Sequence, residues 1–164
     1  MDTFSSKKRS AIMRRVHSRN TGPEKMVRSL LHGLGFRFRL HRKDLPGNPD
    51  IVLPKYSTVV FVHGCFWHRH AGCPRATTPA VNQDYWLPKF ERTVRRDRRN
   101  VKELQRQGWH VIIVWECELR DPARLAKKMK EGIVPSLMFD SIDIPSFKMA
   151  AEPKKRYQGA KGER

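Results

Sequence analysis

Between Phe61 and Cys73 the chain reads FVHGCFWHRHAGC, and this stretch holds three of the seven histidines and two of the three cysteines. Thiols and imidazoles are the donors that zinc takes in a closed tetrahedral site. Cys65, His70 and Cys73 are spaced C-x4-H-x2-C, and Cys117 follows an apolar run far downstream. Three local donors and one distant donor would tie this loop to the end of that run through one ion. His68 competes for the same role, and three ordinary buried cysteines are the plain alternative. His63 and His68 also flank Phe66-Trp67. A neutral imidazole takes a proton from water near neutral pH, and an imidazolium steadies a leaving oxygen. Asp50 follows Asn48-Pro49, where a carboxylate can hold magnesium against a phosphate or merely complete a turn. The adjacent Phe66 and Trp67 either pack into the core or wedge between base pairs.

The elements that must position these groups follow from periodicity. Thr58 to Val62 is β-branched and aromatic, reads as a buried strand, and is broken by Gly64. Asp50 opens a short strand with Ile51, Val52 and Leu53. Phe36 to Leu40 alternates and predicts a half-buried strand, with a turn at Leu45-Pro46-Gly47-Asn48-Pro49 after it. Thr21-Gly22-Pro23-Glu24 predicts a capped helix start in which Glu24 completes a capping box, and Met26, Val27, Leu30, Leu31 and Leu34 form its apolar face. Asn82 to Gln107 predicts one long helix with Trp86, Phe90, Val94, Val101 and Leu104 on one face. Asp97 falls on that face, where an acid can hold an imidazole protonated and oriented. Arg92, Arg95, Arg96 and Arg99 lie on the other faces and suit DNA phosphates. Trp109 to Trp115, nearly all apolar, predicts a central strand. Asp121-Pro122 caps a helix to about Lys130.

The length of 164 residues suits one domain: an arm over 1–20, a main domain over 21–135 and a basic C-terminal extension over 136–164. Residues 6–19 are either a short basic helix or a solvated arm. Lys and Arg number 34 against 16 acids, a formal net charge of +18, which points to a polyanion such as nucleic acid. No apolar run reaches membrane-spanning length and no secretory apolar core opens the chain, so a cytoplasmic, nucleoid-associated location is expected. An odd number of cysteines in a reducing compartment favours metal ligation over disulfides.

Asn48-Pro49-Asp50 resembles the first half of a PD-(D/E)xK nuclease motif. LPGNPDIV, FVHGCFWHRHAGC, ERTVRRDRRN and GWHVIIVWECEL, with MRRVHSRNTGPEK before them, together resemble the very-short-patch repair (Vsr) endonucleases over Lys8 to Leu119. The resemblance implies an α/β restriction-endonuclease-like fold, a central mixed β-sheet flanked by helices and stabilised by zinc. It implies a nick 5′ to the thymine of a T:G mismatch left by deamination of 5-methylcytosine. Asp50 would be the magnesium carboxylate and His68 the base that activates water. His63 and Asp97 would serve the phosphate and leaving group, and Glu24 is a catalytic position. Met13, Phe66 and Trp67 would intercalate, and Cys65, His70, Cys73 and Cys117 would bind zinc. A DNA cytosine-5 methyltransferase and a downstream polymerase and ligase would be functional partners of a monomeric enzyme.

The strand Thr58 to His63 departs from the wider superfamily in having no (D/E)xK. The Vsr branch shares this loss, and the resemblance implies that histidine takes over, with a backbone carbonyl near Val62 helping the metal. Two other classes fit parts of the pattern. A non-catalytic zinc module for bent DNA would not need Asp50, His68 and Asp97 together. A restriction-type nuclease without mismatch preference would leave Phe66-Trp67 without a task.

Overall fold

The computed structural model describes residues 19–134. Met13 and the extension over 136–164 lie outside the described residues. Among the described residues the sheet has four strands in the order β1 (Arg39–Leu40), β2 (Ile51–Leu53), β3 (Thr58–His63), β4 (His110–Trp115). β1–β2 and β2–β3 are antiparallel, whereas β3–β4 is parallel and pairs Thr58 with His110 through to His63 with Trp115. The parallel pair needs a long crossover, supplied by α2 (Gln83–Arg106). α1 (Gly22–Gly33) precedes the sheet and α3 (Pro122–Ile133) follows it.

Strand alternation sends side chains to two cores. Ile51, Leu53, Val60, Ile112 and Val114 join Val27, Leu30 and Leu31 of α1 and Leu125, Met129 and Ile133 of α3. Val52, Val59 and Phe61 face the other way and meet Leu45 and Leu104 of α2. The result is a mixed α/β sheet with helices on both faces.

α1 starts as its sequence dictates. The Thr21 and Glu24 side chains cap each other's backbone N–H groups, with Pro23 in the first turn. α2 runs Gln83–Arg106, within a residue of expectation at each end.

Two expectations are corrected. β4 is an end strand, not a central one. Its apolar run arises because helices cover both of its faces, which needs no partner on its outer edge. The alternating stretch from Phe36 forms a ladder only at Arg39–Leu40. Its partner β2 is just three residues long. Phe36 is buried instead, edge-on to Tyr56 at 5.4 Å between centroids.

The turn before β2 fixes the approach to Asp50. Asn48 N–H donates to Leu45 C=O at 3.1 Å, and Gly47 takes φ +76°. A Cβ at Gly47 would stand 2.7 Å from Asn100 Nδ2, whereas one at Gly35 (φ +85°) would meet nothing within 4 Å. Gly35→Ala is therefore expected to lose only the left-handed backbone term, roughly 1–2 kcal/mol. Gly47→Ala should lose measurably more in urea denaturation. Equal losses would mean that Asn100 yields without cost.

Candidate nuclease and metal sites

The carboxyl-side ends of β3 and β4 open into a cleft of about 740 Å³. Each wall comes from a different element: Glu24 from the start of α1, Asp50 from the turn into β2, His63 from the end of β3, His68 from the loop beyond, and Arg96 and Asp97 from α2. β2 runs antiparallel to β3 and β4 parallel to it, so the start of β2 and the ends of β3 and β4 lie at one edge of the sheet.

Asp50 is pinned to β3, since Val62 N–H donates to its Oδ2 at 2.8 Å. Burial pushes its carboxyl above the usual range; the Val62 N–H opposes this, and the Glu24 charge adds to it. Glu24 is 4% exposed. Its Oε1 accepts from Thr21 Oγ1 at 2.9 Å, and its Oε2 from Asn20 N–H at 3.0 Å and Arg28 Nη2 at 2.6 Å. Arg28 Nη2 also stands 3.0 Å from His41 Nε2. An arginine has only donors, so His41 Nε2 is the acceptor there. Glu24, His41 and Asp50 bring ligand atoms within 4.8 Å of one another. Two carboxylates, one of them desolvated, are the hard oxygen donors that suit magnesium.

His63 lies on the α2 side of the sheet, as Phe61 does two residues earlier. Burial holds its imidazole down to about 3, helped by the neighbouring His68 and Arg96 charges and opposed by Asp97. It is neutral at physiological pH. His68 stacks on it with centroids 3.8 Å apart and planes 10° apart. His68 Nδ1 lies 2.6 Å from Asp97 Oδ2. Burial pushes Asp97 up, but the His68 hydrogen bond and the His68, His63 and Arg96 interactions outweigh it, so the carboxyl lies below its ordinary value. The acid on the apolar face of α2 thus meets an imidazole, as its position suggested.

Cys65, His70, Cys73 and Cys117 form a separate cluster with ligand atoms within 4.8 Å of one another. His70 Nδ1 is 3.7 Å from Cys65 Sγ and 3.3 Å from Cys117 Sγ. Three thiols and one imidazole at this spacing fit zinc's tetrahedron. Burial drives the Cys65 thiol up to about 12, while the Arg75 backbone N–H holds Cys73 below its usual value. His68 stands apart from this group, with His63 and Asp97. Between the two histidines Arg69 takes φ +54°, a left-handed turn that sends its neighbours to different clusters.

Phe66 and Trp67 are half-buried and edge-on, 5.1 Å between centroids. They extend into an aromatic group on the apolar face of α2. Phe66 meets Trp86 at 5.6 Å and Phe90 at 5.2 Å, and Trp67 meets Trp86 at 5.9 Å. Lys89 Nζ lies 5.1 Å from the Trp67 ring. The arginines of α2 divide: Arg96 lines the cleft and donates to Asp97 at 3.1 Å, whereas Arg95 and Arg99 line a second, basic groove with Arg98 and Lys102. The sequence singles out neither Arg28, His41 nor Tyr85, and it marks Trp86 and Trp115 only as packing positions of a helix face and a strand.

Sequence relatives identify the family. The family model described as DNA mismatch endonuclease Vsr matches residues 1–74. The type II nicking enzyme V.XorIIP of Xanthomonas oryzae pv. oryzae is 51% identical over 135 residues, 82% of this chain and 98% of that protein. The DNA mismatch endonuclease Vsr of Escherichia coli is 45% identical over 124 residues, 76% of this chain and 79% of that one. The catalytic domain of homing endonuclease I-Bth0305I superposes at TM-score 0.47 and 20% identity, over 69% of this chain and 94% of that chain. With two such relatives matched over most of their length, the chain belongs to the Vsr family of DNA mismatch endonucleases.

Proposed function

We propose that the protein nicks duplex DNA 5′ to the thymine of a T:G mismatch, by magnesium-dependent phosphodiester hydrolysis on a zinc-stabilised, restriction-endonuclease-like scaffold. The observation that carries this is the run Asp97–His68–His63 facing Asp50 across one cleft. Asp97 accepts from His68 Nδ1–H, which leaves Nε2 free to take a proton from the attacking water. His63, buried and neutral, is suited to donate its N–H to a phosphate oxygen or the leaving oxygen. Asp50, with Glu24 beside it and the Val62 carbonyl at the end of β3, would hold magnesium. The ion, when bound, neutralises charge that develops on the phosphate. Cys65, His70, Cys73 and Cys117 would hold zinc, which supplies folding energy.

For recognition, Phe66 and Trp67 act as a wedge, backed by Trp86, with Met13 entering from the other groove. A T:G wobble pair stacks less firmly than a Watson–Crick pair, so insertion beside it costs less. Arg96 acts at the cleft, and Arg92, Arg95 and Arg99 hold backbone phosphates further along α2. Because such mismatches arise from 5-methylcytosine, the enzyme would work beside a DNA cytosine-5 methyltransferase. It would act as a monomer in the nucleoid and pass its nick to a polymerase and ligase. Among the described residues no helix is long and apolar enough to cross a membrane.

Cleavage of paired T:G and T:A duplexes, with and without magnesium, tests the reading directly. His68→Ala should bind duplex normally and keep its zinc, yet cut T:G about a hundredfold slower or worse, the scale of a lost general base. A variant that cut at the normal rate would remove His68 from the chemistry. Cys117→Ser should lose both the metal and the fold, since ligation and folding are coupled; metal analysis finding no zinc in well-folded wild type defeats that assignment. Trp67→Ala should keep fold and zinc but lose a few kcal/mol of transition-state stabilisation on T:G substrate. A fluorescent base analogue beside the mismatch should unstack with wild type and stay stacked with the variant. Equal unstacking by both would return Trp67 to the core.

A further inference from the structure

Trp115 ends β4 in register with His63, the last residue of β3. Its indole stacks on His70, centroids 4.2 Å apart and planes 7° apart. It also stands edge-on to His63, at 5.4 Å and 71°. His63 stacks in turn on His68, which Asp97 holds. One unbroken run of rings therefore leads from the Cys65–His70–Cys73–Cys117 cluster to the acid on α2. The proposed hydrolysis gives Trp115 no task.

We propose that Trp115 is a positioning residue, which carries the placement fixed at the cysteine cluster to the imidazoles of His63 and His68. This rests on the reading of those two histidines as the groups that act on the phosphate and its water. The physical need comes from the His63 ring. The β3–β4 ladder fixes its backbone but not its plane, because rotation about the ring bond of a histidine is a broad, two-fold torsion. Aromatic packing sets that plane: Trp115 and Phe61, at 5.7 Å, border the ring, and His68 covers its face. Removing Trp115 frees the ring to tilt, and His68 rests on it. Misplacement by about 1 Å can cost on the order of a hundredfold in rate. His70, whose Nδ1 stands 3.3 Å from Cys117 Sγ, is the flat plate that holds the indole.

The test uses the full chain. Trp115→Leu keeps an apolar side chain but no flat ring. It should retain wild-type metal content and duplex Kd, while the single-turnover cleavage rate falls about tenfold to a hundredfold. Trp115→Phe, which restores a plate, should recover most of that rate. A readout independent of turnover is the long-range proton–nitrogen spectrum of the imidazoles. In Trp115→Leu the His63 and His68 ring signals should shift and broaden while amide signals of α1 and α3 stay put. His70→Cys, which offers a four-thiolate metal site without the stacking ring, should move the same two histidine signals with metal retained.

Unmoved histidine signals together with a wild-type rate in Trp115→Leu overturn the proposal. So does loss of metal from a folded Trp115→Leu with those signals unchanged, since Trp115 would then serve only the cluster. If Trp115→Leu does not fold, Trp115→Phe decides by the same spectrum: small shifts of His63 and His68 support positioning, and none refutes it. Normal cleavage by His68→Ala defeats the catalytic reading instead, and the ring spectrum still answers for Trp115.

Discussion

The parallel ladder between β3 and β4 ends with His63 beside Trp115, and both histidine clusters are arranged around that end. A parallel pair cannot be closed by a tight turn, so the chain must cross over. The crossover here is the Gly64 to Asn82 loop followed by α2. The loop leaves β3 at the strand end and lays His68 against His63 and His70 against Trp115. α2 returns along the sheet and lays Asp97 against His68. Cys117, just past β4, closes the cysteine cluster onto the loop's beginning. The strand pairing thus places the two histidines with Asp97 and the cysteine cluster in one stroke.

How much of this was legible in the sequence depended on whether a signal was local. The capping box at Thr21–Glu24, the C-x4-H-x2-C spacing and the misplaced acid at Asp97 are patterns within a few residues, and each has its expected structural counterpart. The His68-or-His70 alternative could not be decided by spacing, because both reach the same volume in an extended loop. Which cluster each histidine joins turns on the left-handed backbone at Arg69, a conformation that an arginine does not advertise. The sequence of β4 reads as a central strand because burial of both faces and pairing of both edges write the same apolar run. His41 and Trp115 carry no functional signal in the sequence, because their contacts come from distant elements.

The cleft also shows how two acids are kept close in a desolvated place. Asp50 and Glu24 repel, and burial alone already disfavours the Asp50 charge. Arg28 offsets this from one turn further along α1, bonded to Glu24 at 2.6 Å and nearly buried itself at 13% side-chain exposure. A buried pair of this kind yields little net stability, since desolvating both partners offsets their attraction. Its consequence is geometric. With Thr21, Asn20 and Arg28 all donating to Glu24, that carboxylate has few orientations left, and His41 is drawn to the same point.

That arrangement bears on the absence of (D/E)xK from β3. In that motif the acid and the cation stand two residues apart on a strand, which puts both on one face. Here Glu24 and Arg28 stand four apart on a helix, which also puts both on one face, by the helical rather than the strand period. A carboxylate with an attendant cation therefore still borders Asp50, though a different element supplies it. β3 is released from carrying charge and can be apolar almost throughout. It is accordingly buried on both faces, with Val59 and Val60 fully enclosed. A strand so packed is a rigid mount for the one polar side chain at its end, His63, and the helix-borne acid leaves that mount undisturbed.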